Sequence, residues 1–401
     1  MKLLLFHRDQ ECYNTLNIFA DSLAREMDKR GIFVSFIDLD QSAEKVRADL
    51  IKELDSGTDA VLMFNADGRL TAHREILNER GIHLFDWIVD HPCEHTKILQ
   101  TPIEHFHAIC LDRDHVDFIK THFPNIRSAS FLPIGGDLTE PKEPDIEEFL
   151  RRPYSLVFTG SYVPLSEFES TIRELPDRLR KMAIGMIEYM LDHRSATNEE
   201  ALRVMMREVL GTDKVDEKTF QECAYYTSHS NIYVRQYVRE ELIRYLIESG
   251  ITIDIFGVGW ENLGIASKNN VRFHGSVSYF EASELCAKSR MALNVMPWFK
   301  NGLHDRIPTT MLNGAAVFTD TNRYLEDEFH TSGAKQELCT FDIGHPEQAA
   351  EIGETYLKDP ERLFELAKRG NEKAVRTMTW EKRTDELLRI IASAETNKNR
   401  I

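Results

Sequence analysis

Short apolar runs alternate with helix-length amphipathic segments from the first residues onward, and few folds are compatible with that alternation. Residues 3–6, 33–37, 60–64, 83–89, 108–111 and 129–132 are apolar runs of strand length. Between them, 15–30, 43–54, 71–80 and 115–122 carry apolar residues at helical spacing. Gly31, Gly57 and Gly81 stand at or just past the ends of the first three, where a helix commonly stops. Repeated strand–helix–strand order predicts a parallel sheet with helices on both faces.

The pattern breaks at 135–145, where Gly135, Gly136, Pro141 and Pro144 stand among charged residues. It then restarts, with strands expected at 154–159, 251–256, 271–273, 291–295, 315–319 and 338–341. Helices are expected at 278–288, 309–313, 346–357, 360–369 and 380–394. The stretch 164–250 reads as helices alone: 177–191, 198–210 between Thr197 as N-cap and Gly211 as stop, and 232–248. A chain of 401 residues has material for two cores. The expected organisation is an α/β domain at 1–138, a linker at 139–153 and a second α/β domain at 154–375 with a helical insertion at 164–250. A last helix, within 376–401, is placed to pack back on the first domain. Ligands of open parallel sheets bind beyond the carboxyl ends of the strands, so a ligand is expected there, between the two halves.

Several function classes are poor fits. The net charge is −17 and no dense Lys/Arg run appears, so neither nucleic acid nor an anionic membrane is an expected partner. No apolar run approaches the roughly 18 residues of a membrane span, and the N-terminal apolar run meets charge too soon for a signal peptide. The six cysteines are scattered without a Cys-x-x-Cys pair, which suggests reduced thiols and a cytoplasmic protein. His91, Cys93 and His95 approach a zinc-ligand spacing, but no second pair completes it and Pro92 disturbs the turn, so no metal is expected. Gly257-x-Gly259 lacks the third glycine of a dinucleotide fingerprint. Met182, Met186 and Met190 have helical spacing and read as core.

The densest signal for chemistry runs from Asn294 to Asp320. A buried strand ends near Val295, a polar loop with Gly302 follows, and a short helix is expected to open at Pro308. Thr309 and Thr310 in a first turn would direct N–H groups and hydroxyls at the loop, a ready anion site. Arg306 adds a fixed cation suited to a diphosphate.

This segment resembles the donor-site motif of CgeB-like (spore maturation type) proteins and of group 1 glycosyltransferases. Gly302, His304, Asp305, Arg306, Met311, Gly314, Phe318 and Asp320 match it. Other stretches agree in the same order: Asp90-His91-Pro92, the run Phe131 to Gly136, Phe158-Thr159-Gly160-Ser161, Ile255-Phe256-Gly257 with Trp260, Phe273-His274-Gly275, and Trp380. The resemblance covers most of the chain outside 164–250. It implies the GT-B fold, two Rossmann-like domains facing a cleft, and transfer of a sugar from a nucleotide-diphosphate donor to a protein or glycan acceptor without a metal cofactor.

The resemblance also implies roles. Gly160 and Ser161 would let the backbone approach the diphosphate, with Gly257 and Gly275 at neighbouring strand ends. Arg306 and the N–H groups around Thr309 and Thr310 would stabilise charge on the leaving nucleotide. His304 and Asp305 would hold sugar hydroxyls or support Arg306, with Gly302 beside them. Val277 and Tyr279 would seat the base. Asp90 or His91 would face the acceptor, one of them as general base. Related retaining enzymes carry a Glu-x7-Glu pair where this chain has Asn301 and Thr309, which puts the usual ribose contact in doubt. That departure motivates a second reading, a non-catalytic glycosyltransferase-like binding or partner subunit; a nucleotide-sugar epimerase of the same fold is a third.

Overall fold

The computed structural model describes residues 1–9, 14–140, 143–264 and 268–396; Cys12 lies outside them. The chain divides into two compact units, Met1–Gly135 with Trp380–Ile401, and Gly136–Thr379.

In the first unit six strands form one sheet: β1 (Lys2–His7), β2 (Phe33–Asp38), β3 (Ala60–Phe64), β4 (His83–Ile88), β5 (Phe106–Cys110) and β6 (Ser128–Phe131). Their order is β2-β1-β3-β4-β5-β6 and every pairing is parallel. All residues of β3, β4 and β5 are buried, because helices cover both faces, and so these strands are mainly apolar rather than alternating, with His83, Asp86 and His107 as buried polar exceptions. β2 lies at the edge and leaves Phe33 63% exposed.

The helix expected at 71–80 is two helices, Gly68–Thr71 and Arg74–Glu79. Asp67 caps the first by accepting the N–H of Arg69, which starts the turn before the apolar pattern begins. The helix Trp380–Thr396 belongs to this unit. Trp380 closes on Phe19, Phe64 and Trp87, with ring centroids 5.6, 6.4 and 6.3 Å away. A β-carbon on Gly135 would stand 2.9 Å from the backbone of Trp380, so only glycine passes there.

The second unit holds β7 (Tyr154–Thr159), β8 (Ile253–Phe256), β9 (Val271–Phe273), β10 (Ser289–Asn294), β11 (Ala316–Asp320) and β12 (Cys339–Phe341). The order is β12-β11-β10-β7-β8-β9, again parallel throughout. Between β7 and its neighbour β8 the chain makes a helical block: Leu165–Arg173, Asp177–Asp192, Asn198–Leu210, Glu217–Tyr226 and Ser228–Glu248. Thr197 and Glu200 form a reciprocal capping box and Gly211 stops the helix in the left-handed region. Met182, Met186 and Met190 are core.

Four differences from the sequence reading have clear causes. The helices Leu165–Arg173 and Glu217–Tyr226 extend the block beyond the three expected; Asp216 caps the second by accepting the N–H of Thr219. Within 139–153 stands the helix Ile146–Arg151, anchored by Phe149 against Phe364 at 5.4 Å, so that segment is packed structure. The helix expected to end at 369 runs from Pro360 to Thr377, through Gly370. A β-carbon there would meet the Glu337 carbonyl at 2.7 Å: glycine serves close approach, not termination. The helix expected at 309–313 begins at Arg306.

Candidate functional site

In the second sheet the chain adds β8 and β9 on one side of β7 and then returns to place β10 on the other. The carboxyl ends of β7 and β10 are therefore the topological switch point, where open parallel sheets bind ligands. Gly160 follows β7. Its N–H donates to the Phe256 carbonyl at 2.8 Å and its carbonyl accepts the indole N–H of Trp260 at 2.7 Å. Both backbone groups are committed, so what Gly160 offers a ligand is space. A β-carbon on it would lie 3.3 Å from Nη2 of Arg306, which comes from beyond β10. Topology thus brings two predicted residues, 146 positions apart, side by side.

Gly257 and Gly275 line up at the ends of β8 and β9. The N–H of Gly257 donates to the Gly275 carbonyl at 2.7 Å, and a β-carbon on Gly257 would stand 2.2 Å from the Gly160 carbonyl oxygen. Ser161 Oγ accepts the N–H of Val258 at 3.3 Å. Val277 packs on the Val157–Phe256–Leu285–Ala292 cluster, and the Tyr279 hydroxyl donates to Asp137 at 2.8 Å. Tyr279 is thereby tied to Asp137; burial, and then Asp137, push its phenol well above the usual range.

The anion site expected at the helix N-terminus is not formed as anticipated. Because the helix opens at Arg306, the N–H of Thr309 is spent on the Asp305 carbonyl at 3.3 Å, that of Ile307 on the His304 carbonyl at 3.1 Å, and Pro308 has none. Thr309 and Thr310 are buried. The Thr309 hydroxyl accepts the N–H of Asp137 at 3.3 Å, and that of Thr310 faces Cys286 Sγ at 3.6 Å. Both threonines hold the fold together. The misreading came from Pro308, placed at a first helical position when it is the third.

The cation survives this correction. Nη1 of Arg306 is buried without a hydrogen-bond partner, and burial lowers its proton affinity against the pull of Asp305. His304 Nδ1 lies 2.6 Å from an Asp305 oxygen and 3.3 Å from the N–H of Arg306. One nitrogen cannot donate to the first and accept from the second; the shorter, charge-assisted contact places the proton on Nδ1. Burial holds the imidazole neutral despite Asp305, so Nε2 keeps a lone pair. Burial works to raise the Asp305 carboxyl, but His304 and Arg306 carry it below its ordinary value. Gly302 is buried, its carbonyl accepting from Asn322 at 3.0 Å, and Asn301 stands half-buried before it.

Sequence reading missed Arg235 and Arg239, one turn apart in the helix Ser228–Glu248. Their guanidinium carbons lie 4.0 and 5.6 Å from the Trp298 ring centroid, and Trp298 meets His304 edge-on at 5.4 Å. Basic residues at i and i+4 were the available signal. Nothing in the sequence said that the face they mark turns toward the β10 loop.

The first unit has its own switch point, between β1 and β3. Arg8 follows β1, pairs with Asp67 and donates to the Asn65 carbonyl at 2.9 Å. Asn65, at a positive φ of 50°, donates to Asp90 at 2.8 Å and accepts the N–H of Val89 at 2.8 Å. Asp90 is thus held at a strand end in a polar group. His91 is buried, its Nδ1 accepting the N–H of Cys93 at 3.1 Å as a helix cap. Asp86, inside β4, accepts the N–H of Ala66 at 2.8 Å while its other oxygen has no partner, and burial pushes it up to about 7.

Among the described residues no group of three or more His, Cys, Asp or Glu side chains is arranged to hold a metal, and no helix is long and apolar enough to cross a membrane. The cysteines at 93, 110, 223, 286 and 339 are free thiols.

Two parallel six-stranded sheets with flanking helices define a GT-B fold, the architecture of nucleotide-sugar glycosyltransferases. Residues 235–389 match a family model described as "Glycosyl transferase-like". No curated protein matches the chain by sequence. Among solved structures, Anabaena HepE in complex with UDP-glucose is similar over 98% of this chain and 100% of its own, at TM-score 0.58 and 12% identity. T4 phage BGT with its UDP-glucose substrate is similar over 98% and 99%, at TM-score 0.51 and 11% identity. Sucrose-phosphate synthase from Thermosynechococcus elongatus is similar over 99% and 100%, at TM-score 0.51 and 10% identity. At these identities the likeness is one of fold.

Proposed function

We propose that the chain is a glycosyltransferase of hexosyltransferase type, moving a sugar from a nucleoside-diphosphate sugar to a protein or glycan acceptor. The observation that carries this is Arg306: a half-buried guanidinium whose Nη1 is buried and unbonded, set against glycine at the switch point of the second sheet. A guanidinium offers a rigid fork of donors to phosphate oxygens, and a charge fixed there stabilises the leaving diphosphate as the glycosidic bond breaks. The neutral His304, oriented by Asp305, offers Nε2 as an acceptor for a sugar hydroxyl. Asp90, in the first unit, is the proposed acceptor-side base. The family-model match and the UDP-glucose complexes of proteins with this fold support the reading. The collinear motifs favour a CgeB-like subtype with no resident metal, and the scattered cysteines favour the cytoplasm.

A second reading, a binding subunit that has lost chemistry, rests on Thr309: its hydroxyl is engaged by Asp137 where related retaining enzymes present a carboxylate to the ribose. Incubation with labelled UDP-, GDP- and TDP-sugars separates the two. Release of free sugar or nucleotide by the wild type, abolished in Arg306→Ala, supports the enzyme; no donor turned over and none stabilising the fold supports the binding subunit.

A further inference from the structure

Arg306 is not the only cation of the second unit with a buried, unbonded nitrogen. Arg239 comes from the helical block, is 7% exposed, and makes neither a hydrogen bond nor an ion pair with any described residue. Its Nε is wholly buried. Burial, and then the charges of Arg306 and Arg235, depress its proton affinity; the opposing carboxylate is Asp320. Asp320 is a weak counter-ion, since it accepts the N–H of Met296 at 2.8 Å and burial raises it to about 6. The Trp298 ring offers its face to both Arg235 and Arg239; for Arg239 this satisfies part of the charge but none of the N–H groups. A desolvated guanidinium with no hydrogen bond of its own, set beside other cations, is an arrangement that folding alone disfavours. An oxyanion reaching in from the Arg306 side supplies what is missing.

We infer that Arg239, backed by Arg235 and Trp298, is a second oxyanion position of the donor site, holding a phosphate or carboxylate oxygen that Arg306 does not. The inference rests on the donor-site reading above. Two sources share this chemistry: the second phosphate of the nucleoside diphosphate, and an acidic substituent on the transferred sugar. In either case the helical block is part of the donor site, contributing to it the residue that selects a more highly charged ligand.

The test is calorimetric titration of wild type and Arg239→Gln with inorganic pyrophosphate, UMP, UDP, GDP, UDP-glucose and UDP-glucuronic acid. A tenfold or greater loss for UDP or GDP with UMP unchanged assigns the second phosphate. A loss confined to UDP-glucuronic acid assigns an acidic sugar. Binding of all probes by the variant within twofold of wild type overturns the inference. Melting without ligand distinguishes an anion site from a structural prop. Arg239→Gln at or above the wild-type melting temperature supports the site; a fall of several degrees, with ligand-induced shifts retained, overturns it. Should no nucleotide bind to the wild type, the donor reading fails, and pyrophosphate still decides this one. Pyrophosphate binding that Arg239→Gln abolishes upholds the oxyanion position; no pyrophosphate binding by the wild type removes it.

Discussion

A β-carbon placed on Gly160 would stand 3.3 Å from the terminal Nη2 of Arg306, so the glycine after β7 is what leaves that guanidinium its room. Gly160→Ala therefore tests the pairing without touching a charge. The neighbours must yield by a few tenths of an ångström, and Arg306 is the more mobile of them. Donor affinity is expected to fall several-fold while stability changes by less than about 1 kcal/mol. Isothermal titration beside urea unfolding measures both; unchanged affinity with lost stability would place the strain on Phe158 instead.

Arg306→Ala is expected to reduce turnover by on the order of 10²–10³-fold, the usual loss when one preorganised donor to a developing anion is deleted. Arg306→Lys should recover only part of it, because an ammonium cannot reproduce the fork. Circular dichroism should show an intact fold. Wild-type turnover in the alanine variant would remove Arg306 from the mechanism.

Gly257→Ala should behave differently from Gly160→Ala, although the two glycines are neighbours. Its β-carbon would meet a backbone oxygen at 2.2 Å, at a φ of 154°, with no flexible side chain to move aside. A loss of about 3 kcal/mol or more is expected, visible as a lower urea midpoint.

The carboxyl of Asp86 gives a pH test. Burial raises it to about 7 from an ordinary value of 3.8, so the native state holds its proton where the unfolded chain has released it. The stabilising contribution is complete below about pH 4 and is lost as pH rises toward and through 7. Asp86→Asn removes the dependence. Relative to wild type, the variant should gain stability between pH 4 and pH 8, by on the order of a few kcal/mol at the upper end. A stability difference that stays flat with pH, read from urea melts at pH 4, 6 and 8, would show Asp86 titrating as an ordinary carboxylate.

Much of the architecture was legible because buried parallel strands announce themselves as apolar runs: 60–64 was read to the residue. Helices within the block were harder. Glu217–Tyr226 mixes its apolar and polar residues, and its clearest start signal is the single cap Asp216. No local pattern carried the helix from Pro360 past Gly370, and only the Glu337 carbonyl reveals that the glycine there admits a close neighbour. In the candidate site, Arg306 and Gly160 were named from motif position. Arg239 was not, since its place depends on how a helix between β7 and β8 turns its basic face, which no local pattern states. Thr309 and Thr310 were misassigned because a two-residue error in where a short helix opens converts free N–H groups into bonded ones.

The long excursion between β7 and β8 joins two strands that are already hydrogen-bonded neighbours, so its length is invisible to the sheet. Such a junction is a natural place for lineages to swap or enlarge whole helices without re-registering a single strand. Whatever replaces the block must nevertheless deliver a cationic turn above Trp298. The freedom to remodel is therefore uneven: wide at the outer helices, and narrow at the last one before β8.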